Sequence, residues 1–232
     1  MSPLGRGRRT PAADAYRDAP LPGPETPWRA VPFAVVDLET TGLDARRDEI
    51  ISFASIPVDD GRVRPGGTTT LTIRPERMPA AETIRIHGLR PADLEGAPAL
   101  SAELDEILDA LRGRVLVAHS AWVETSFLSA ALQRAGVRLR GPALDTAALT
   151  HRVLSDGMAP DAVGPSVSGP KGEPKLSVVA RRFGLPVHRP HHAEGDALTA
   201  AQLFIALASR LELSSPQTLG SLARLSEQGQ SS

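Results

Sequence analysis

The sequence predicts an α/β domain with a mixed sheet and flanking helices, and two patterns predict it. Three strand-like segments come first, as a meander. Residues 33–38 form an apolar run broken only by Asp37, residues 49–58 and 62–73 follow, and Asp59-Asp60-Gly61 between the last two reads as a hairpin turn. After that, helical and strand patterns alternate, which sets further strands beside the meander with helices packed across them. In order, these are a helix over about 101–111, a short apolar strand at 115–118, a helix over about 121–135 and a short strand at 143–144 leading into a helix at Thr146. Two more helices are expected over 176–183 and about 192–211, and no internal repeat is visible.

The rest of the chain bounds that domain. Residues 1–29 are rich in Pro, Ala, Gly and Arg without periodicity, and residues 213–232 are polar, with Ser and Gln; both are expected to be disordered tails around one domain over 30–212. Residues 155–174 hold four Pro and four Gly and are expected to form a long mobile loop. A chain of 232 residues is long enough for a sizeable core. Net charge is −1, so any polyanion must be held by a local site and not by a bulk basic field. Two Trp, one Tyr and five Phe are too few for a broad base-stacking platform. Cysteine is absent, which excludes disulfides, thiolate zinc sites and cysteine nucleophiles, and suits the reducing cytoplasm, the expected location. No run approaches the roughly 20 apolar residues of a membrane span, so no membrane partner is expected. Arg8-Arg9 is followed by Thr10-Pro11-Ala12-Ala13-Asp14, with no apolar region, so it does not read as a secretion signal.

Chemistry concentrates in three places. Asp37 and Glu39 stand two apart at the end of the first strand, so they share a face. Two like charges there are costly unless a cation or proton neutralises them, and a hard divalent cation takes carboxylate oxygen; a solvated pair at a strand exit is the alternative. Glu124 lies on a helical stripe with Phe127, Leu128 and Ala131, which should face the sheet. The bland reading there is a Glu favoured by the helix dipole. A capping box would need the acid three residues after Ser120, and that position is Val123. Asp196 shares a stripe with Ala193, Ala200, Leu203 and Leu207, and His191, five residues earlier, can approach the same site from a loop as a general base. His188 and His192 read as surface residues, and the histidine spacing fits no helical zinc motif. Asp145 reads as a helix N-cap, or as a residue supporting the acidic site from behind.

Together these residues resemble the DEDDh (DnaQ-like) 3′→5′ exonucleases, a family that includes the proofreading epsilon subunit of bacterial DNA polymerase III and stand-alone relatives. The first motif, an apolar strand ending in D-x-E-T-T-G, is matched by Asp37 to Gly42. In the second, H-N-A-x-F-D-x-x-F-L, His119, Ala121, Phe127 and Leu128 match, Glu124 stands where the family has Asp, Ser120 replaces Asn and Val123 replaces Phe. The third, H-x-A-x-x-D-A, is matched by His191, Ala193, Asp196 and Ala197. Ile86-His87-Gly88-Leu89 and Leu144-Asp145-Thr146 also resemble segments carried between those motifs. The resemblance runs from about Phe33 to Leu211 and implies a ribonuclease H-like exonuclease fold, with a five-stranded mixed sheet flanked by helices.

The resemblance and the acid count also imply two-metal hydrolysis with Mg²⁺ or Mn²⁺, the ions about 3.5–4 Å apart. Asp37 would bridge the ions, Glu39 and Asp196 would hold the one that binds the attacking water, and Glu124 would support the second. His191 would take the proton. Substrate contacts are implied for Thr40, Thr41, Leu43, His87 and Phe127, with Leu43 as a wedge against the terminal base. The implied substrate is a nucleic acid with a free 3′ end, single-stranded DNA before RNA, and a DNA polymerase is a candidate partner. RNA-directed trimming and a catalytically weakened binding protein on the same fold remain as alternatives. Glu124, with one methylene more than Asp, bears on rate and metal preference more than on the fold.

Overall fold

The computed structural model describes residues 10–158 and 174–228. Its centre is a sheet of six strands: β1 (Phe33–Thr40), β2 (Ile50–Asp59), β3 (Arg62–Val63), β4 (Thr69–Thr72), β5 (Val115–Ala118) and β6 (Ala143–Asp145). β1 pairs antiparallel with β2, which pairs antiparallel with both β3 and β4; β5 lies parallel to β1, and β6 parallel to β5. The sheet is therefore mixed, as expected. The third strand of the meander is broken in two. Arg64-Pro65-Gly66-Gly67 interrupts it with a 3₁₀ turn, Pro65–Gly67, and pairing with β2 jumps from Val58 opposite Val63 to Ser55 opposite Thr69. Proline cannot donate to a ladder, so the break falls where the sequence has it. The Asp60-Gly61 hairpin has positive φ at both residues, 54° and 66°, as a two-residue primed turn requires.

Nine α-helices accompany the sheet among the described residues: α1 (Pro11–Asp18), α2 (Ala81–His87), α3 (Pro91–Leu94), α4 (Leu100–Leu111), α5 (Trp122–Arg134), α6 (Thr146–Ser155), α7 (Leu176–Arg182), α8 (Ala193–Ser214) and α9 (Leu219–Gln228). Alternation along β1 divides the core. Phe33 and Val35 face a layer with Leu149 of α6, Val179 of α7, Phe204 and Leu207 of α8 and Leu222 of α9. Ala34, Val36 and Leu38 face Ile107 and Leu108 of α4 and Phe127 and Leu128 of α5. In the first layer Phe33 and Trp28 both set their rings edge-on to Phe204.

The expected tails need correction. Of residues 1–29, those from Thr10 on pack onto the domain, while residues 1–9, like 229–232 of the other expected tail, lie outside the described residues. Thr10 caps α1 by accepting from Ala13 N–H at 3.2 Å, and Pro11 opens the helix at a position that needs no donor. Ala13 and Tyr16 are buried, and Arg140 N–H donates to the Tyr16 hydroxyl at 3.1 Å. At the other end, α8 runs to Ser214, and α9 buries Leu219, Leu222 and Ser226 within the stretch expected to be a tail. Of the loop expected over 155–174, Ser155 ends α6 and Pro174 contacts His119; residues 159–173 lie outside the described residues.

Candidate active site

Asp37 and Glu39 continue the row Phe33–Val35, so β1 aims them at α8. The first turn of α8 supplies Asp196, and carboxylate oxygens of Asp37, Glu39 and Asp196 all lie within 4.8 Å of one another. Close packing makes this possible. A Cβ on Gly195 would stand 2.4 Å from the His188 carbonyl oxygen and 2.6 Å from that of Arg189, so only glycine lets the first turn of α8 press against the loop before it.

Glu124 arrives from the opposite layer. It is buried on the α5 stripe with Phe127, Leu128 and Ala131, and its Oε2 is buried without a hydrogen-bond partner. It lies outside the group of three, yet it is the foremost charge acting on Asp37. Burial raises the Asp37 carboxyl well above its usual range, and the charges of Glu124, Glu39 and Asp196 push the same way. Burial and Asp196 lift Glu39 to about 7. Burial lifts Glu124 to about 8, with Asp145 and Glu39 adding to the effect. Asp196 is raised by burial, against the His191 N–H and the charges of His191 and His192.

His191 sits on the loop before α8 with φ of 60°; its side chain is exposed, and its N–H donates to Asp196 Oδ2 at 2.8 Å. The loop thus brings it beside the acids through its backbone. His188 and His192 are half-buried, not surface residues: His188 N–H donates to the Thr199 hydroxyl at 3.0 Å, and His192 Nδ1 is buried without a partner.

The expected substrate residues divide. Leu43 is 67% exposed, just past Gly42 at the exit of β1. Thr40 donates its hydroxyl to the Gly42 carbonyl, and the Thr41 hydroxyl accepts from Glu49 N–H at 3.0 Å, so both side chains brace this exit loop. His87 ends α2 and is buried, with Nδ1 accepting from Leu89 N–H at 3.0 Å and Nε2 unpartnered; burial lowers its pKa. Phe127 corrects an expectation: its ring is buried in the core layer between α5 and the sheet, because it lies on the same inward stripe as Leu128 and Ala131. Asp145 caps α6 by accepting from Ala147 N–H at 2.8 Å, and it also accepts from Ser120 N–H at 2.9 Å. That second bond spans 25 residues and has no local sequence signal. Its signal is the β5–β6 register, which sets Asp145 opposite Ala118.

This donor set fits a divalent cation. Three convergent half-buried carboxylates, all raised by burial and two of them, Asp37 and Glu39, also by the charge of neighbouring carboxylates, are the arrangement that a bound cation relieves. No helix among the described residues is long and apolar enough to cross a membrane.

Comparison with known proteins agrees with this geometry. A DNA polymerase III subunit epsilon of Aquifex aeolicus is 27% identical over 183 residues, 77% of this chain and 81% of that protein. A DNA polymerase III subunit epsilon-like protein of Rhodobacter capsulatus is 30% identical over 85% of this chain, and a PolC-type DNA polymerase III of Caldanaerobacter subterraneus is 26% identical over 78%. The chain spans only 27% and 12% of those two proteins. The fold matches Exonuclease X in complex with 5′ overhanging duplex DNA, with a TM-score of 0.60 and 21% identity over 84% of this chain and 99% of that one. It also matches E. coli Exonuclease I in complex with a dA16 oligonucleotide, with a TM-score of 0.67 and 16% identity over 79% of this chain and 42% of that one. An exonuclease family model matches residues 34–204, from the first core strand to the middle of α8, and with both acidic motifs and the buried Glu124 inside that span the chain belongs to the RNase T exonuclease family, of DnaQ-like fold.

Proposed function

We propose that the chain is a cytoplasmic, metal-dependent 3′→5′ exonuclease that removes nucleotides singly from single-stranded DNA and releases nucleoside 5′-monophosphates. The observation that carries this reading is the convergence of Asp37, Glu39 and Asp196 within 4.8 Å, at the end of β1 and the start of α8. These three would hold Mg²⁺ or Mn²⁺, and Glu124 would support a second ion from the α5 side. Such ions, when bound, supply Lewis acidity and a water of lowered pKa. The chain's own part is positional. β1 and the first turn of α8 fix the acids before substrate arrives, and the His191 backbone N–H holds the Asp196 carboxylate in place. The His191 imidazole, exposed beside the acids, takes the proton of the attacking water at a ring nitrogen. Leu43, exposed at the β1 exit, offers the apolar surface that a terminal base would meet.

Neighbours captured on single-stranded and overhanging DNA support DNA as the substrate. Relatives named as DNA polymerase III subunits support a polymerase as partner. One experiment tests the reading: matched single-stranded DNA and RNA oligonucleotides, labelled at either end, are incubated with Mg²⁺, Mn²⁺ or excess EDTA. A 3′ label should appear at once as mononucleotide while the 5′ label shortens in single steps, on DNA faster than RNA. Activity in EDTA, or release from the 5′ end first, would overturn it.

A further inference from the structure

We propose that Asp145 is a positioning residue for Glu124: its carboxylate clamps the left-handed turn that starts α5, and α9 backs the clamp. The kinetic half of this proposal rests on the exonuclease reading; the structural half does not. Ser120 joins β5 to α5 with φ of 62°, a left-handed conformation on a residue that has a Cβ. Such strain persists where the surroundings over-determine it. Here they do. Asp145 Oδ1 accepts Ser120 N–H at 2.9 Å and Ala147 N–H at 2.8 Å. The neighbouring Thr146 hydroxyl lies 2.8 Å from His119 Nδ1 and donates to the Ala118 carbonyl at 3.3 Å. Two consecutive side chains at the β6–α6 junction thus grip three consecutive residues at the β5–α5 junction.

The grip is itself supported. Asp145 is buried, and its own N–H donates to the Ser226 hydroxyl of α9 at 3.1 Å, also buried. On the other side, the Ser120 carbonyl accepts from Val123 N–H at 3.2 Å, so the turn passes straight into the first turn of α5, where Glu124 sits. A rotation at Ser120 swings that turn and displaces the Glu124 carboxylate, which has no hydrogen bond to its Oε2 to hold it. An ordinary N-cap would serve α6 alone. The bond to Ser120 serves the acidic site.

The test uses the full chain with Asp145→Ala, Asp145→Asn, Ser226→Ala, and Asp145→Ala combined with Ser120→Gly, read by steady-state kinetics on single-stranded DNA and by amide hydrogen exchange at Ser120. Asp145→Ala should lower kcat about ten- to a hundredfold with KM changed by less than about twofold, the pattern of misplaced catalytic groups. Asp145→Asn keeps the accepting Oδ1 and should retain most of kcat. Adding Ser120→Gly should recover part of the loss, since glycine adopts the turn without strain. Ser226→Ala, which leaves the carboxylate in place, should lower kcat in the same direction by less, and so tests the clamp even if Asp145→Ala folds poorly. Exchange at Ser120 should quicken in Asp145→Ala and stay slow in Asp145→Asn. Wild-type kcat in Asp145→Ala, or unchanged Ser120 protection, would overturn the proposal. If the wild type released no nucleotide from any oligonucleotide, the exonuclease reading would fall, and the exchange measurement would still decide the clamp.

Discussion

Glu124 is the residue at which chemistry and stability separate most cleanly. With its carboxyl lifted to about 8, it is largely neutral in the metal-free protein at pH 7. Glu124→Gln therefore reproduces the charge state that the metal-free fold already accepts. It should leave the melting temperature of the metal-free protein unchanged or slightly higher, while turnover with Mg²⁺ falls sharply; full activity in this variant would show that Glu124 is idle. His191 allows a second separation, because its backbone and side chain do different things. The φ of 60° favours glycine, and the N–H to Asp196 survives any substitution except proline. His191→Gly should thus be no less stable than the wild type, while the rate falls roughly 10²–10⁴-fold, the usual worth of a general base. Parallel melting curves and single-turnover rates would check both. Of these roles, the inward stripe of Glu124 is legible from i, i+3, i+4 spacing alone. The left-handed backbone of His191 is not, because it follows from where α8 packs.

At the scale of elements, β1 and α8 hold like charges together, and the pH dependence follows from the direction of their shifts. Asp37, Glu39, Glu124 and Asp196 are all raised relative to an unfolded chain. Between the ordinary carboxylate range and the raised values, the native state binds more protons than the unfolded one, so stability falls as pH rises. Their contribution is fully present below about pH 4 and lost on the way up through about 7 to 8, the values at Glu39 and Glu124. In EDTA the protein should melt at a lower temperature at pH 8 than at pH 5, the reverse of a protein held by carboxylate ion pairs. Mg²⁺ or Mn²⁺ should close most of that gap at pH 8 by binding the native state, and Asp37→Ala should abolish the metal effect. A melting temperature that rises from pH 5 to pH 8 in EDTA would contradict the shifts. The two-residue period along β1 makes the shared face of Asp37 and Glu39 readable from sequence; that Glu39 reaches Asp196 depends on α8 crossing this face, which no local pattern encodes.

Over the whole molecule, the central domain is readable because each of its strands and long helices carries its own periodicity. The end segments are not, because each is stabilised by partners far along the chain. Tyr16 accepts from Arg140 across 124 residues, and Ser226 accepts from Asp145 across 81. A short Pro- and Ala-rich stretch and a Ser-rich one look like tails until the surfaces that receive them exist. The packing of α9 has a measurable weight: Leu222 is fully buried against the layer that holds α6 and α8, and Leu222→Ala should cost about 2–5 kcal/mol in denaturant unfolding. A value near zero would mean that α9 is dispensable to the fold. The two tryptophans give the molecule two separate optical reporters. Trp28 is sealed against Phe204 with Arg29 over its ring at 4.4 Å, whereas Trp122, at the first turn of α5, is 44% exposed. Native emission should therefore be a sum of a blue component that acrylamide barely reaches and a red one that it quenches. Trp122→Phe should remove the red component and leave an intrinsic signal that follows melting of the core alone.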